Sequence, residues 1–170
     1  MSEKKVNGIL FIIAGLGSIA VYILLGDTGL LSKSHTEKIA AYMLVTIPLA
    51  FMMTRNITRN SLMDAGLLLM VVGLSMGLVS DAIISAEISA ESSLMGGAIG
   101  WTGWSIMYFG FSVTGVGYLR TNLFPNWLSW FLILASSIMF VFLAFLTPEQ
   151  LESSVDNLVA PLWMLSLIHI

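Results

Sequence analysis

Polar residues fall into narrow bands along this chain and leave apolar stretches of about twenty residues between them. A hydrocarbon layer of ~30 Å needs about that many residues at ~1.5 Å each. By this measure membrane spans are predicted at Val6 to Leu25, His35 to Thr54, Leu62 to Ile84, Leu94 to Leu119 and Trp127 to Leu146, with a sixth starting near Val155. The sixth offers about 16 residues and stops short. Lys4 and Lys5 precede the first apolar run as they would in a secretory signal, but the run is too long and no small-residue cleavage site follows. It reads as a retained span. The predicted class is all-α, a polytopic transmembrane helix bundle of about six spans with the sixth truncated, forming one domain over residues 1–164.

Helix-start signals punctuate the bands. Ser34 with Glu37 and Ser61 with Asp64 have capping-box spacing, and Thr147 precedes Pro148 as a cap precedes a first-turn proline. Each would satisfy backbone N–H groups left unpaired at a membrane boundary. Asp64 is thereby assigned to capping rather than to acid chemistry.

Composition turns this pattern into a membrane reading: 57% of the 170 residues are hydrophobic, 10% are charged, and mean hydropathy is +0.92. Ordinary soluble domains carry roughly 25% charge. The absence of cysteine removes disulfides, thiolate nucleophiles and thiolate metal sites from consideration. No basic stripe marks a nucleic-acid partner. Charge distribution gives an orientation. Lys4, Lys5, Arg55, Arg59 and Arg120 lie on one side of the spans and Lys33 and Lys38 on the other, which predicts the N-terminus and C-terminus inside. Asp27, Glu37, Asp81, Glu87, Glu91, Glu149, Glu152 and Asp156 fall outside, Glu3 and Asp64 inside. The expected location is a bacterial or archaeal cytoplasmic membrane. The sequon Asn56-Ile57-Thr58 would then face the cytoplasm and go unused.

The stretch GYLRTNLFPNWLSW, Gly117 to Trp130, is the sharpest polar interruption. Arg120 ends one span, Asn122 and Asn126 flank a turn, Pro125 opens the next span, and Tyr118, Trp127 and Trp130 are interfacial anchors. It reads as a re-entry turn.

Span four is the most patterned element. Gly96, Gly100, Gly103, Met107, Gly110, Thr114 and Gly117 recur at spacings of four and three, a helical stripe on which a neighbouring backbone can approach closely. Beside it run Trp101, Trp104, Tyr108, Phe111 and Tyr118, readable as a cavity wall or as packing around the glycines. Span three has a weaker stripe, Gly66, Met70, Gly73, Gly77 and Ser80, and is expected to pack on span four. The tandem ISAEISAE between them, Ile84 to Glu91, is expected to extend helically along the outer surface.

Pro48 removes a backbone hydrogen bond inside span two and predicts a kink near Leu44. No charge lies near a bilayer midplane: Asp64 and Asp81 are about 25 Å apart at ~1.5 Å per residue, one near each interface. Asp81, after Ser80, is the better candidate for a proton or cation contact. The two histidines, His35 and His169, form no metal motif or haem pair, and the eleven methionines are scattered. No cofactor is expected.

The run FGFSVTGVGYLRTNLFPNWLSWFLILAS, Phe109 to Ser136, resembles the central signature of a family of small, mostly bacterial multi-spanning membrane proteins grouped as a domain of unknown function. The matching residues are Gly117-Tyr118-Leu119, Arg120 and Pro125-Asn126-Trp127-Leu128; the start, VNGILFIIAGLGS, is similar to the family's first helix. Asn126 departs from the basic residue common there. The resemblance implies a membrane protein and no catalytic residues.

The last six residues, LSLIHI from Leu165, are what CTG TCT CTT ATA CAC ATC encodes, the transposon-end adaptor used in preparing sequencing libraries. Residues 165–170 are therefore expected to be a non-native tail, with the native frame cut near Met164. The functional expectation is a non-enzymatic integral membrane protein acting through helix packing with itself or another membrane protein. The alternative is a small-solute or ion transporter with Asp81, Ser80 and the Pro48 kink near its pathway.

Overall fold

The computed structural model describes residues 3–21, 24–25 and 32–146, and every regular element among them is a helix. These are α1 (Glu3–Val21), α2 (Lys33–Leu44), α3 (Thr46–Thr54), α4 (Ser61–Ser85), α5 (Ala90–Thr121) and α6 (Asn126–Phe145). The sixth predicted span, the Thr147 cap and the 165–170 tail lie outside the described residues. Among the described residues two helices, α4 and α6, are long and apolar enough to cross a membrane. Shorter apolar helical stretches occupy Lys5–Gly17 and Lys38–Thr54. Although α5 is the longest element, its glycines, serines and tryptophans dilute its apolarity.

The predicted second span is two helices, α2 and α3, divided at Val45. Pro48 has no N–H for the Leu44 carbonyl, and at the same break Thr46 donates its hydroxyl to the neighbouring Met43 carbonyl at 2.6 Å. The predicted caps also shift. Helix α2 starts from Ser32, whose carbonyl accepts from the Thr36 amide and whose hydroxyl meets His35 Nδ1 at 2.7 Å, and not from Ser34. Asn60 caps α4, accepting from the Leu62 amide at 2.8 Å, which frees Asp64 to pair with Arg55 at 2.6 Å. An extended Asn outcompetes Ser61 because its side-chain oxygen reaches the second helical amide.

The ISAEISAE stretch is not a helical extension. Helix α4 ends at Ser85, Glu87 turns left-handed at φ 52°, and Ser89 opens α5 through a reciprocal capping box with Ser92. Ser89 offers the chain a helix start that breaks the expected continuity. A left-handed backbone costs a non-glycine residue about 1–2 kcal/mol. Glu87→Gly should therefore raise the melting temperature in detergent by ~2–4 °C. A lower melting temperature would show that the Glu87 side chain holds the turn.

Helices α4 and α5 form the most extensive interface, with α6 on the other side of α5 and α2–α3 carrying α1 against α4. The core cluster runs through Phe11, Ile47, Phe51, Met63, Met70, Met107, Phe111, Tyr118 and Leu132. With α2 and α3 continuing as one broken rod, successive rods run antiparallel. One end of the bundle thus gathers the start of α1, the α3–α4 turn and the α5–α6 turn; we call it the proximal end.

Candidate functional site

Glycine spacing on two neighbouring helices brings their backbones into direct contact. A Cβ placed on Gly103 would stand 2.8 Å from both the Gly73 carbonyl oxygen and the Gly77 nitrogen. On Gly110 it would stand 2.7 Å from the Gly66 carbonyl oxygen and 2.8 Å from the Met70 nitrogen. From the other side, a Cβ on Gly73 would strike the Met107 nitrogen and one on Gly66 the Thr114 hydroxyl. The seam continues with Gly117 on Met63, Gly100 on Ser80 and Gly96 on Ile83 and Ile84. No carbon stands that close to backbone atoms, so only hydrogen fits at Gly66, Gly73, Gly103 and Gly110. Met107, the large member of the stripe, is buried and contributes its backbone to the contact.

The aromatic stripe of α5 turns into the same interior. Trp104 lies over Gly77, where a Cβ would meet its ring at 2.6 Å. Phe51 of α3 gathers the others: Phe11 of α1 packs edge-on at 5.1 Å, Phe111 lies 5.3 Å away, and Tyr118 stacks at 6.1 Å. Tyr118 also shares a 3.0 Å hydrogen bond with the Thr54 hydroxyl, which in turn donates to the Phe51 carbonyl at 2.6 Å. Tyr108, Phe111 and Tyr118 are buried in this core, while Trp101 is half-exposed.

The residues of the transport reading are not brought together. Ser80 is buried in the seam against Gly100, Asp81 is half-buried beside it, and Pro48 is half-buried in the first turn of α3. Thr54, Tyr118, Gly117 and Met63 share one level through their contacts. Counting from that level at ~1.5 Å per residue, Pro48 lies about 9 Å and Asp81 about 27 Å along the axis. One compact site cannot include both.

A second, polar seam joins α5 to α6. Ser137 donates to the Ser112 hydroxyl at 3.1 Å, Ser112 donates to the Tyr108 carbonyl, Ser129 is buried with its carbonyl beside Gly115, and Ser136 of the same helix is buried too. The spacing of seven between Ser129 and Ser136, two helical turns, is the sequence signal for this face. Asn7 of α1 is buried as well. Each lies where charge analysis does not look.

At the proximal end Arg120 is exposed in the last turn of α5, and Asn122 closes that helix left-handed at φ 51°. Pro125 then precedes α6, its carbonyl accepting from the Leu128 amide at 2.9 Å, and Trp127 and Trp130 are exposed by 62% and 51%. Among the described residues no three His, Asp or Glu side chains gather as a metal site would require. Comparison of the chain with protein-family models, curated proteins and solved structures finds no match.

Proposed function

We propose that this is a polytopic integral membrane protein of six spans, N-terminus inside, whose role is a packed helical scaffold that engages membrane partners, itself included, rather than catalysis. The observation that carries this reading is an inverted surface. Leu68, Val71, Val72 and Val79 of α4 and Leu134, Ile138 and Val141 of α6 point outward, while Asn7, Thr54, Ser112, Thr114, Ser129 and Ser136 are buried. In water such a distribution exposes apolar area while withdrawing polar groups from solvent; in lipid it is the favourable one. The spans are α1, the broken α2–α3 rod, α4, α5, α6 and the apolar segment from Val155. The backbone-to-backbone α4–α5 pair supplies the rigid centre, leaving the outer faces of α1 and α6 for lipid and partners.

The cysteine-free chain permits a direct test. Single cysteines at Ser34, Ser89 and Ser153 should react with an impermeant reagent added outside, and one at Asn56 should be protected. The reverse pattern would invert the orientation, and equal labelling at Ser89 and Asn56 would end the spanning reading.

A further inference from the structure

The glycine seam fixes more than the packing of α4 on α5: it brings two arginines to one level of the bundle. Gly117 stands against Met63, where a Cβ would lie 2.6 Å from the Met63 Cγ. The helices are antiparallel, so three residues past Gly117 and three before Met63 bring Arg120 and Asn60 to the same level, about 4.5 Å beyond that contact at ~1.5 Å per residue. Arg59 adjoins Asn60. Both arginines are exposed, Arg120 in the last turn of α5 and Arg59 just before α4, and these two helices share the most extensive interface among the described residues.

Among the described side chains no acid is paired with either arginine. Asp64 is the one acid with a described side chain at the proximal end, and Arg55 holds it at 2.6 Å. Exposed Lys5 adds another positive charge at that end. The opposite end carries Asp81, Glu87 and Glu91 against Lys38 among the described side chains. Directly after Arg120, the left-handed Asn122 reverses the chain and sets exposed Trp127 and Trp130 in the opening turns of α6, at headgroup depth for a membrane helix.

We infer that Arg59 and Arg120 form a seat for the phosphodiester of an anionic phospholipid, with Trp127 and Trp130 anchoring the adjoining helix at the same depth. A guanidinium presents paired N–H donors that match phosphate oxygens. A zwitterionic headgroup brings an ammonium that two uncompensated arginines repel; an anionic one does not. This inference rests on the membrane reading above, and the test separates the two.

The full chain is reconstituted in zwitterionic vesicles containing brominated phospholipid, either anionic or zwitterionic, at equal mole fraction, and quenching of tryptophan fluorescence is measured. Quenching by the anionic lipid should be stronger, with a relative affinity raised about fivefold per arginine, equivalent to ~1 kcal/mol each near a charged surface. Arg59→Gln with Arg120→Gln should abolish the preference, and Lys38→Gln should leave it. Replacing both arginines by lysine retains the charge and should retain most of the preference, which separates loss of the seat from loss of the fold. Equal quenching by both lipids, or a preference that survives the double glutamine change, overturns the seat while the membrane reading stands. Absence of quenching by either lipid overturns the membrane reading itself, and the seat with it.

Discussion

Gly103→Ala and Gly73→Ala should each lower the melting temperature in detergent, and the leucine variants should lower it further or prevent folding. The reason is the identity of the atoms in the way. At Gly103 an added Cβ meets the Gly73 carbonyl and the Gly77 nitrogen, and at Gly73 it meets the Met107 backbone; neither neighbour has a rotamer to change. The two helices must separate along their most extensive interface. Overpacking of this kind costs about 1–3 kcal/mol for a single group, occasionally more, which for a chain of this length is about 2–4 °C per kcal/mol. Gly97 is the internal control. It sits in the same helix with nothing within 4 Å of an added Cβ, so Gly97→Ala removes only the conformational cost of glycine. That change should stabilise by up to about 1 kcal/mol. Equal effects at Gly97 and Gly103 would mean that the α4–α5 seam is not closed in solution.

How far this structure is legible in the sequence depends on which interaction sets each feature. Apolar stretches separated by polar bands locate α1, α4, α5 and α6 to within a few residues, because a long run of apolar residues bounded by polar ones is a compositional trace that does not depend on which neighbour the helix meets. Small residues at spacings of four and three in α5, and their weaker echo in α4, are the positions at which the two backbones meet. Local competition is harder to read. Ser34 and Ser61 have capping spacing, yet Ser32 and Asn60 begin the helices, since any Ser, Asn or Asp near a boundary is an eligible cap and tertiary context chooses among them. The ISAEISAE segment has helical spacing throughout, and a single capping box at Ser89 with Ser92 is enough to end one helix and start another. The α5–α6 contact is the least visible of all. Ser112, Ser129, Ser136 and Ser137 are uncharged and unremarkable in composition; what marks them is burial, which requires the partner helix to be in place. Phe51 likewise looks like one more apolar residue among many until α1 and α5 are seen to converge on it.

That convergence makes Phe51→Ala the truncation with the largest expected cost. Phe51 is buried between three helices, its ring 5.1 Å from Phe11 of α1 and 5.3 Å and 6.1 Å from Phe111 and Tyr118 of α5. Truncation leaves a cavity that backbone-locked α4 and α5 cannot collapse to fill, and such changes cost about 3–5 kcal/mol. Tyr118→Phe at the same junction removes only the 3.0 Å bond to Thr54, whose hydroxyl keeps its bond to the Phe51 carbonyl, and should cost about 1 kcal/mol. Phe145→Ala, on an exposed face, should fall within about 0.5 kcal/mol of the parent. The loss at Phe51 should also be directional. Among the ring contacts of the described residues, Phe11 with Phe51 is the one that joins α1 to α3, so α1 should loosen before the α4–α5 pair does. A cysteine at fully buried Ala14 of α1 reports this: it should be protected from a thiol reagent in the parent and reactive in the Phe51→Ala background, while a cysteine at buried Ser80 stays protected in both. If Ala14 remained protected, or if Phe51→Ala melted like Phe145→Ala, the aromatic junction would not be what holds the first helix to the rest.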